Sequence, residues 1–223
     1  YINSVFAYLV AAVFYVVISN TAYAQYNIDG NALITNYRPS DYGGGVQNFD
    51  IIKDNRGILY FANNYGVLEY DGVNWQIVDN VKQGVVYSLA SDNDNRIYVG
   101  SYNEFGYLDY EKSGKYQYYS LFETLADSLK DFNTVLNIYV LKDKVYFCTS
   151  VFVFIYDGKS IQALKHPNFG FLTFQCREKL YSGTYYDGLL NITDTSIYCV
   201  KGGDFYKGRD VFFIFLYLDS LFF

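Results

Sequence analysis

Four segments of this 223-residue chain repeat one pattern. They read DNRGILYFANNYGVLEYDG (54–72), DNDNRIYVGSYNEFGYLDY (92–110), LKDKVYFCTSVFVFIYDG (141–158) and CREKLYSGTYYDGLLNITD (176–194). Each has a polar turn, an aliphatic–aromatic pair, a short polar gap and a second apolar run. The pairs are Leu59-Tyr60, Ile97-Tyr98, Val145-Tyr146 and Leu180-Tyr181, and Leu221-Phe222 begins a fifth. The aromatic positions are 38, 48, 35 and 41 residues apart, a mean of 40.5. A unit of this length holds four short strands that cannot bury an apolar face alone, so units must stack on one another. This period is the mark of a β-propeller. The fold class is therefore all-β, a propeller of four-stranded antiparallel blades, with about four blades and the start of a fifth.

The first unit divides into strands at Asn48–Asp54, Ile58–Asn63, Gly66–Tyr70 and Trp75–Val78. Asp71-Gly72 closes a hairpin, because glycine accepts the positive φ that such turns demand, and Asp157-Gly158 repeats it. The strand nearest the axis is crowded on both faces, so it reads as a continuous apolar run. Val85–Ala90, Thr134–Leu141 and Val211–Leu218 fit that place. The blades extend over about 48–80, 85–121, 134–167, 170–203 and 209–223. Ahead of them lies a lead-in over 25–47, in which Ile34–Tyr37 is expected to supply a closing strand. The long spacing between the second and third units contains Leu121, Phe122, Leu125, Leu129 and Phe132 at near-helical intervals. This predicts a short amphipathic helix between Ser120 and Thr134.

Residues 1–24 carry no charge. The apolar run Val5–Ile18 is shorter than the roughly 20 residues of a membrane-spanning helix. Ala22-Tyr23-Ala24 then gives a small-x-small site, so 1–24 reads as a signal peptide and the chain as exported. The chain contains no Met, and reads as a piece of a longer protein. Cys148, Cys176 and Cys199 are too far apart for a CxxC pair. Each lies in an apolar run and is expected to be a buried small hydrophobe.

Seventeen Lys and Arg stand against 23 Asp and Glu, a net charge of -6. The chain has no basic footprint, so nucleic acid is not an expected partner. His166 is the single histidine, which removes most Ser/His, Cys/His and His-rich metal chemistry. Next to Pro167 it reads as a surface turn residue. Asp92-Asn93-Asp94-Asn95 superficially suggests a calcium loop, but Arg96 and Ile97 occupy the places that need a ligand and a glycine. An Asx-bonded hairpin turn fits it better. No catalytic residue, metal site or cofactor is assigned.

The stretch ITNYRPSDYGGGVQNFDIIKDNRGILYFANNYGVLEYDG (34–72), continued by SLASDNDNRIYVGSYNEFGYL (88–108) and YYSL (118–121), resembles the N-terminal sensor region of two-component regulator propeller receptors of Bacteroidetes-type bacteria. The resemblance covers roughly 34–194. The third unit departs from the pattern, with Val151-Phe152-Val153 where a glycine is expected. The resemblance implies a periplasmic sensor of an inner-membrane protein, non-enzymatic in this region. It also implies further blades, a triple-tyrosine domain, a membrane helix and an output module in a receptor that dimerises.

The loops between second and third strands hold Asn63-Asn64-Tyr65, Tyr102-Asn103-Glu104 and Tyr185-Tyr186-Asp187. A propeller brings these loops to one face, where functional loops cluster. Amides, acids and tyrosine rings suit a small polar ligand with rings, such as an oligosaccharide. The same residues equally serve to close hairpins and pack between blades. The sequence favours ligand sensing, responsive to glycan or polysaccharide. An exported propeller enzyme, a polysaccharide lyase or glycosidase, and a protein–protein interaction module remain as alternatives.

Overall fold

The computed structural model describes residues 34–222 other than 79–80, 82–83, 113, 169, 171 and 218–219, with backbone alone for 215–217 and 220–222. The signal expected over 1–24 lies outside the described residues.

Short apolar runs separated by Asp- and Gly-containing turns fold into successive antiparallel sheets. The first sheet is β1 (Asn48–Lys53), β2 (Leu59–Asn63), β3 (Gly66–Tyr70) and β4 (Trp75–Ile77). The second is β5 (Val86–Ser91), β6 (Ile97–Ser101), β7 (Glu104–Tyr110) and β8 (Tyr116–Ser120). The third is β9 (Val135–Leu141), β10 (Lys144–Thr149), β11 (Phe152–Tyr156) and β12 (Ile161–Lys165). The fourth is β13 (Leu172–Cys176), β14 (Lys179–Thr184), β15 (Gly188–Ile192) and β16 (Ile197–Cys199). In each, neighbours in sequence are neighbours in the sheet. A two-stranded hairpin follows, β17 (Phe215–Tyr217) with β18 (Ser220–Phe222).

These sheets are propeller blades. Their first strands pack side by side, β1 beside β5, β5 beside β9 and β9 beside β13. The cores lie between blades. Tyr60, Ala62 and Val67 of blade one meet Val86, Ile97, Val99 and Leu108 of blade two. Phe105 of blade two meets Phe147 and Phe154 of blade three, with ring centroids 4.5 and 5.0 Å apart. Tyr146, Cys148, Val153 and Ile155 of blade three pack on Leu180 and Ile192 of blade four. Near the axis, side chains reach the next blade's backbone. Asp50 Oδ2 accepts from the Leu89 amide at 2.9 Å, and Ser88 Oγ donates to the Val135 carbonyl at 2.8 Å. Tyr139 hydroxyl donates to the Thr173 carbonyl.

The turns follow their chemistry. Asp71 Oδ1 accepts from the amides of Val73 and Asn74, and Asp157 Oδ1 from Lys159 and Ser160. Gly72 and Gly158 take the positive φ values, 98° and 87°. Asp92 Oδ1 accepts from the amides of Asp94 and Arg96, so the acidic run is an Asx-bonded turn.

Four expectations need correction. The helix between blades two and three is instead two single 3-10 turns, Phe122–Thr124 and Asp127–Leu129. Leu125 and Ala126 between them are extended. One turn of helix fixes several dihedrals for one hydrogen bond, so a short segment gains more by burying Leu121, Leu125 and Phe132 between the blades than by continuing. The fifth unit's strand begins at Phe215, not Val211. Residues 211–214 run without regular structure, and Val211 and Ile214 are buried against Tyr181 and Leu189 of blade four. Cys148 and Cys176 are buried but Cys199 is exposed, because β16 is the outermost strand of its blade. His166 is buried, 4% exposed, rather than on the surface.

From Tyr37 to Gln47 the lead-in packs on blade one. Residues 34–38 carry no strand. The one-turn helix α1 (Pro39–Tyr42) follows, with Asp41 Oδ2 accepting from the Arg38 amide at 2.7 Å. Trp75 gathers Tyr37, Tyr42, Phe61 and Tyr70 around its ring, the last stacked at 4.5 Å.

Candidate ligand-binding face

In an antiparallel blade, the turn from second to third strand and the link from fourth strand to the next blade lie at the same end. The residues singled out above therefore gather at one end of the blades, and the structure gives them two different situations.

The amides and acids are held internally. Asn63 is fully buried. Its Oδ1 accepts from the amides of Gly45 and Tyr65, and its Nδ2 donates to the carbonyls of Gly45 and Gln47. Asn64 Oδ1 accepts from the Gln47 amide at 3.3 Å. Asn103, at φ 46°, uses its Oδ1 to accept from the amides of Phe132 and Asn133. Glu104 is buried and accepts from the hydroxyls of Tyr118 at 3.0 Å and Ser120 at 2.7 Å. That carboxylate, after burial itself, pushes the Tyr118 phenol upward. Asp187 accepts from the Asn168 amide group through both oxygens, each at 3.0 Å.

The tyrosines are free of such duties. Tyr65, Tyr102, Tyr185 and Tyr186 are all more than half exposed. Tyr185 and Tyr186 meet edge to face at 5.4 Å. Turns closed by internal hydrogen bonds thus present exposed aromatic faces, an arrangement suited to stacking.

The third blade differs. Its turn is Thr149-Ser150-Val151-Phe152, closed by Thr149 Oγ1, which accepts from the amides of Val151 and Phe152. No tyrosine rises from it. In its place lies an open cleft of about 440 Å³ lined by Asp131, Asn133, Ser150, Lys165, His166 and Asn168. Neither ring nitrogen of His166 has a hydrogen-bond partner among the described residues. Burial pulls its pKa down to about 4, against a small opposing influence of Asp187, so the imidazole is neutral at neutral pH. These six residues come from three separate segments, and only the third unit's missing glycine and tyrosine hinted at the gap. Among the described residues no cluster of His, Cys, Asp and Glu is arranged to hold a metal ion.

Residues 80–103 match the family model for the two-component regulator propeller. Over this stretch the chain is similar to a two-component regulator propeller repeat. Solved structures confirm the fold. The extracellular domain of a hybrid two-component system, BT4673 of B. thetaiotaomicron, is 15% identical with a TM-score of 0.51, over 68% of this chain and 21% of that one. Virginiamycin B lyase of Staphylococcus aureus, an inactive H270A form with quinupristin, is 16% identical with a TM-score of 0.57, over 76% and 58%. The WD40 propeller domain of Doa1 is 12% identical with a TM-score of 0.53, over 70% and 54%. The chain thus spans about a fifth of the length of the hybrid-system domain. No curated protein matches the chain. The regulator-propeller repeat includes Tyr102 and Asn103, so this turn lies within the matched unit.

Proposed function

We propose that the chain is the extracytoplasmic ligand-sensing propeller region of a membrane-spanning bacterial receptor, and that it responds to glycan. The observation that carries the reading is the set of exposed rings, Tyr65, Tyr102, Tyr185 and Tyr186, on turns whose polar side chains are fixed internally. A sugar ring stacks on such a face, and the tyrosine hydroxyl both donates and accepts. The regulator-propeller repeat supports a signalling context. In that context the signal at 1–24 directs export to the periplasm, and Ile34–Tyr37 belongs to the closure of the ring. Further blades, a triple-tyrosine domain and a membrane helix follow, and the receptor acts as a dimer. This region itself senses rather than catalyses.

The test is the triple substitution of Tyr65, Tyr102 and Tyr186 by Ala in the complete receptor. Each ring is expected to be worth about 1–3 kcal/mol of ligand binding. The oligosaccharide response of a reporter gene should fall sharply while circular dichroism is unchanged. An unchanged response in a folded triple variant would refute the reading. Release of shortened oligosaccharides by the purified region would favour an enzyme instead.

A further inference from the structure

The cleft at the third blade sits between two tyrosine turns and is tied to both. On one side Tyr102 bridges to Thr134, and the Asn103 side chain holds the amides of Phe132 and Asn133. Asn133 lines the cleft. On the other side Asn168, also lining, holds the Asp187 carboxylate at the end of the Tyr185-Tyr186 turn. The corresponding turn of the blade between them has no tyrosine and is folded back on Thr149. The departure of the third unit from the repeat pattern therefore opens a recess flanked by exposed rings.

The lining mixes apolar side chains, Val151 and Pro167, with polar ones of both signs. Asp131 and Lys165 carry one charge each, Ser150 offers a hydroxyl, and Asn133 and Asn168 offer amides. Asp131 and Lys165 offset one another, and the Asp187 carboxylate held by Asn168 leaves a slight negative bias that disfavours anionic ligands. Hydroxyls satisfy all of these groups, since each hydroxyl both donates and accepts. His166 is not itself a contact, because Gly170 lies against its nitrogen-bearing edge, where an added Cβ would fall 2.7 Å from Cε1, 2.9 Å from Nε2 and 3.0 Å from Nδ1. The volume, about 440 Å³, is that of a pocket for a small molecule and not of a polymer groove.

The geometry points to this cleft as the seat of a small neutral saccharide, with the turns of Tyr102 and Tyr185-Tyr186 as its two flanks. This rests on the glycan-sensing reading and adds a location and a ligand class. It also singles out Asn133, Ser150 and Lys165, which lie outside the repeat's tyrosine turns, as contact residues.

The experiment uses the complete receptor's exported region, an array of neutral and acidic oligosaccharides, and calorimetric titration with the tightest binder. Ser150→Phe fills the cleft. Asn133→Gly removes the amide at a position whose φ of 63° glycine accepts readily. Lys165→Ala tests the exposed cation, and Lys159→Ala, at the opposite end of the blade, is the control. A neutral hit weakened at least tenfold by Ser150→Phe and by Asn133→Gly, with thermal unfolding and the control unchanged, is the expected result. Should Ser150→Phe unfold the blade, the Asn133→Gly and Lys165→Ala titrations decide. A neutral hit that none of these variants weakens overturns the cleft and leaves glycan sensing standing. Hits confined to acidic glycans overturn the ligand class. No hit on the array overturns both readings.

Discussion

The hydroxyl of Tyr60, in the second strand of blade one, lies 2.5 Å from that of Tyr116, in the fourth strand of blade two. Arg56 Nη2 donates to both, at 2.8 and 3.0 Å, and its Nε donates to Asp54 Oδ2 at 2.8 Å. The first aromatic of the repeat is thus a polar fastener between blades as well as a core residue. Tyr60→Phe keeps the ring and its packing but removes the buried hydroxyl. It leaves Tyr116 and Arg56 each short of a partner, and should cost about 1–2 kcal/mol. Denaturant unfolding of the complete propeller checks this; a loss below about 0.5 kcal/mol would mean that the ring alone matters.

The same chemistry recurs around the blades and predicts weakness to alkali. Burial, reinforced by neighbouring phenol or carboxylate groups, raises the pKa of Tyr60, Tyr98, Tyr118 and Tyr146. Tyr139 is raised in the same way, by burial first. A raised folded-state pKa means that the unfolded chain loses its proton first. The stabilisation is therefore complete below about pH 10, the ordinary phenol value, and is lost as pH rises above it. Urea midpoints should fall steeply above pH 10, and ultraviolet titration should show a group of phenols that ionise only with unfolding. Full reversible ionisation of all tyrosines in the folded protein would contradict this.

His166 gives the opposite dependence at low pH. Its folded-state pKa is held down to about 4 by burial, with Asp187 pulling weakly the other way, against an ordinary value of 6.5. The unfolded chain takes the proton first, so this contribution is present above pH 6.5 and is lost as pH falls from there towards 4. Its size is on the order of 3 kcal/mol. As the single histidine, it can be followed directly by the imidazole proton signal, whose midpoint should lie near 4 and not near 6.5. His166→Phe should flatten the difference in stability between pH 7 and pH 4.5, while a variant with the wild-type slope would place the imidazole in solvent.

The thiols separate by strand position. Cys148 is buried on β10 and its thiol is pushed up to about 12 by burial, whereas Cys199 is exposed on the outer strand β16. An aromatic disulfide reagent should label one thiol quickly in the folded protein, at Cys199, and all three only after denaturation. Rapid labelling of Cys148 would mean that blades three and four separate readily.

The blades were legible because strand period, Asp-Gly turns and the aromatic pair all point to the same elements. In the first blade the observed strands match the expected ones to within one residue, Asn48–Lys53 against Asn48–Asp54 at the start. The face that holds the tyrosines was legible too, since antiparallel alternation sends corresponding turns to one end. Three features were not. Leu121, Leu125 and Phe132 are buried from 3-10 and extended backbone, which a helical spacing of apolar residues cannot distinguish from a helix. His166 beside Pro167 looked like surface because the packing that buries it, against Gly170, is set by the path between blades three and four. The division of labour in the turns, amides inward and rings outward, depends on the lead-in and the inter-blade links. Gly45 and Gln47 occupy the Asn63 amide, and Phe132 and Asn133 that of Asn103.

That division of labour makes the last prediction, which separates structure from sensing inside one turn. Asn63 holds the lead-in to blade one through Gly45 and Gln47, and it is completely buried. The fit is close, because a Cβ on Gly45 would fall 1.8 Å from the Asn64 Oδ1. Asn63→Ala strands the Gly45 and Tyr65 amides and should cost about 2–3 kcal/mol of stability. Gly45→Ala must push aside the half-buried Asn64 side chain and its bond to the Gln47 amide, and should cost less than Asn63→Ala. Tyr65, two residues on from Asn63 and 64% exposed, should tolerate Ala within about 0.5 kcal/mol. Paired thermal unfolding and ligand-response curves on the complete receptor read both quantities. Asn63→Ala should lower the unfolding temperature and lose response only as the protein unfolds. Tyr65→Ala should keep the unfolding temperature and weaken response. If Tyr65→Ala lowers stability as much as Asn63→Ala does, its ring is part of the packing and the stacking face must be drawn from Tyr102, Tyr185 and Tyr186 alone.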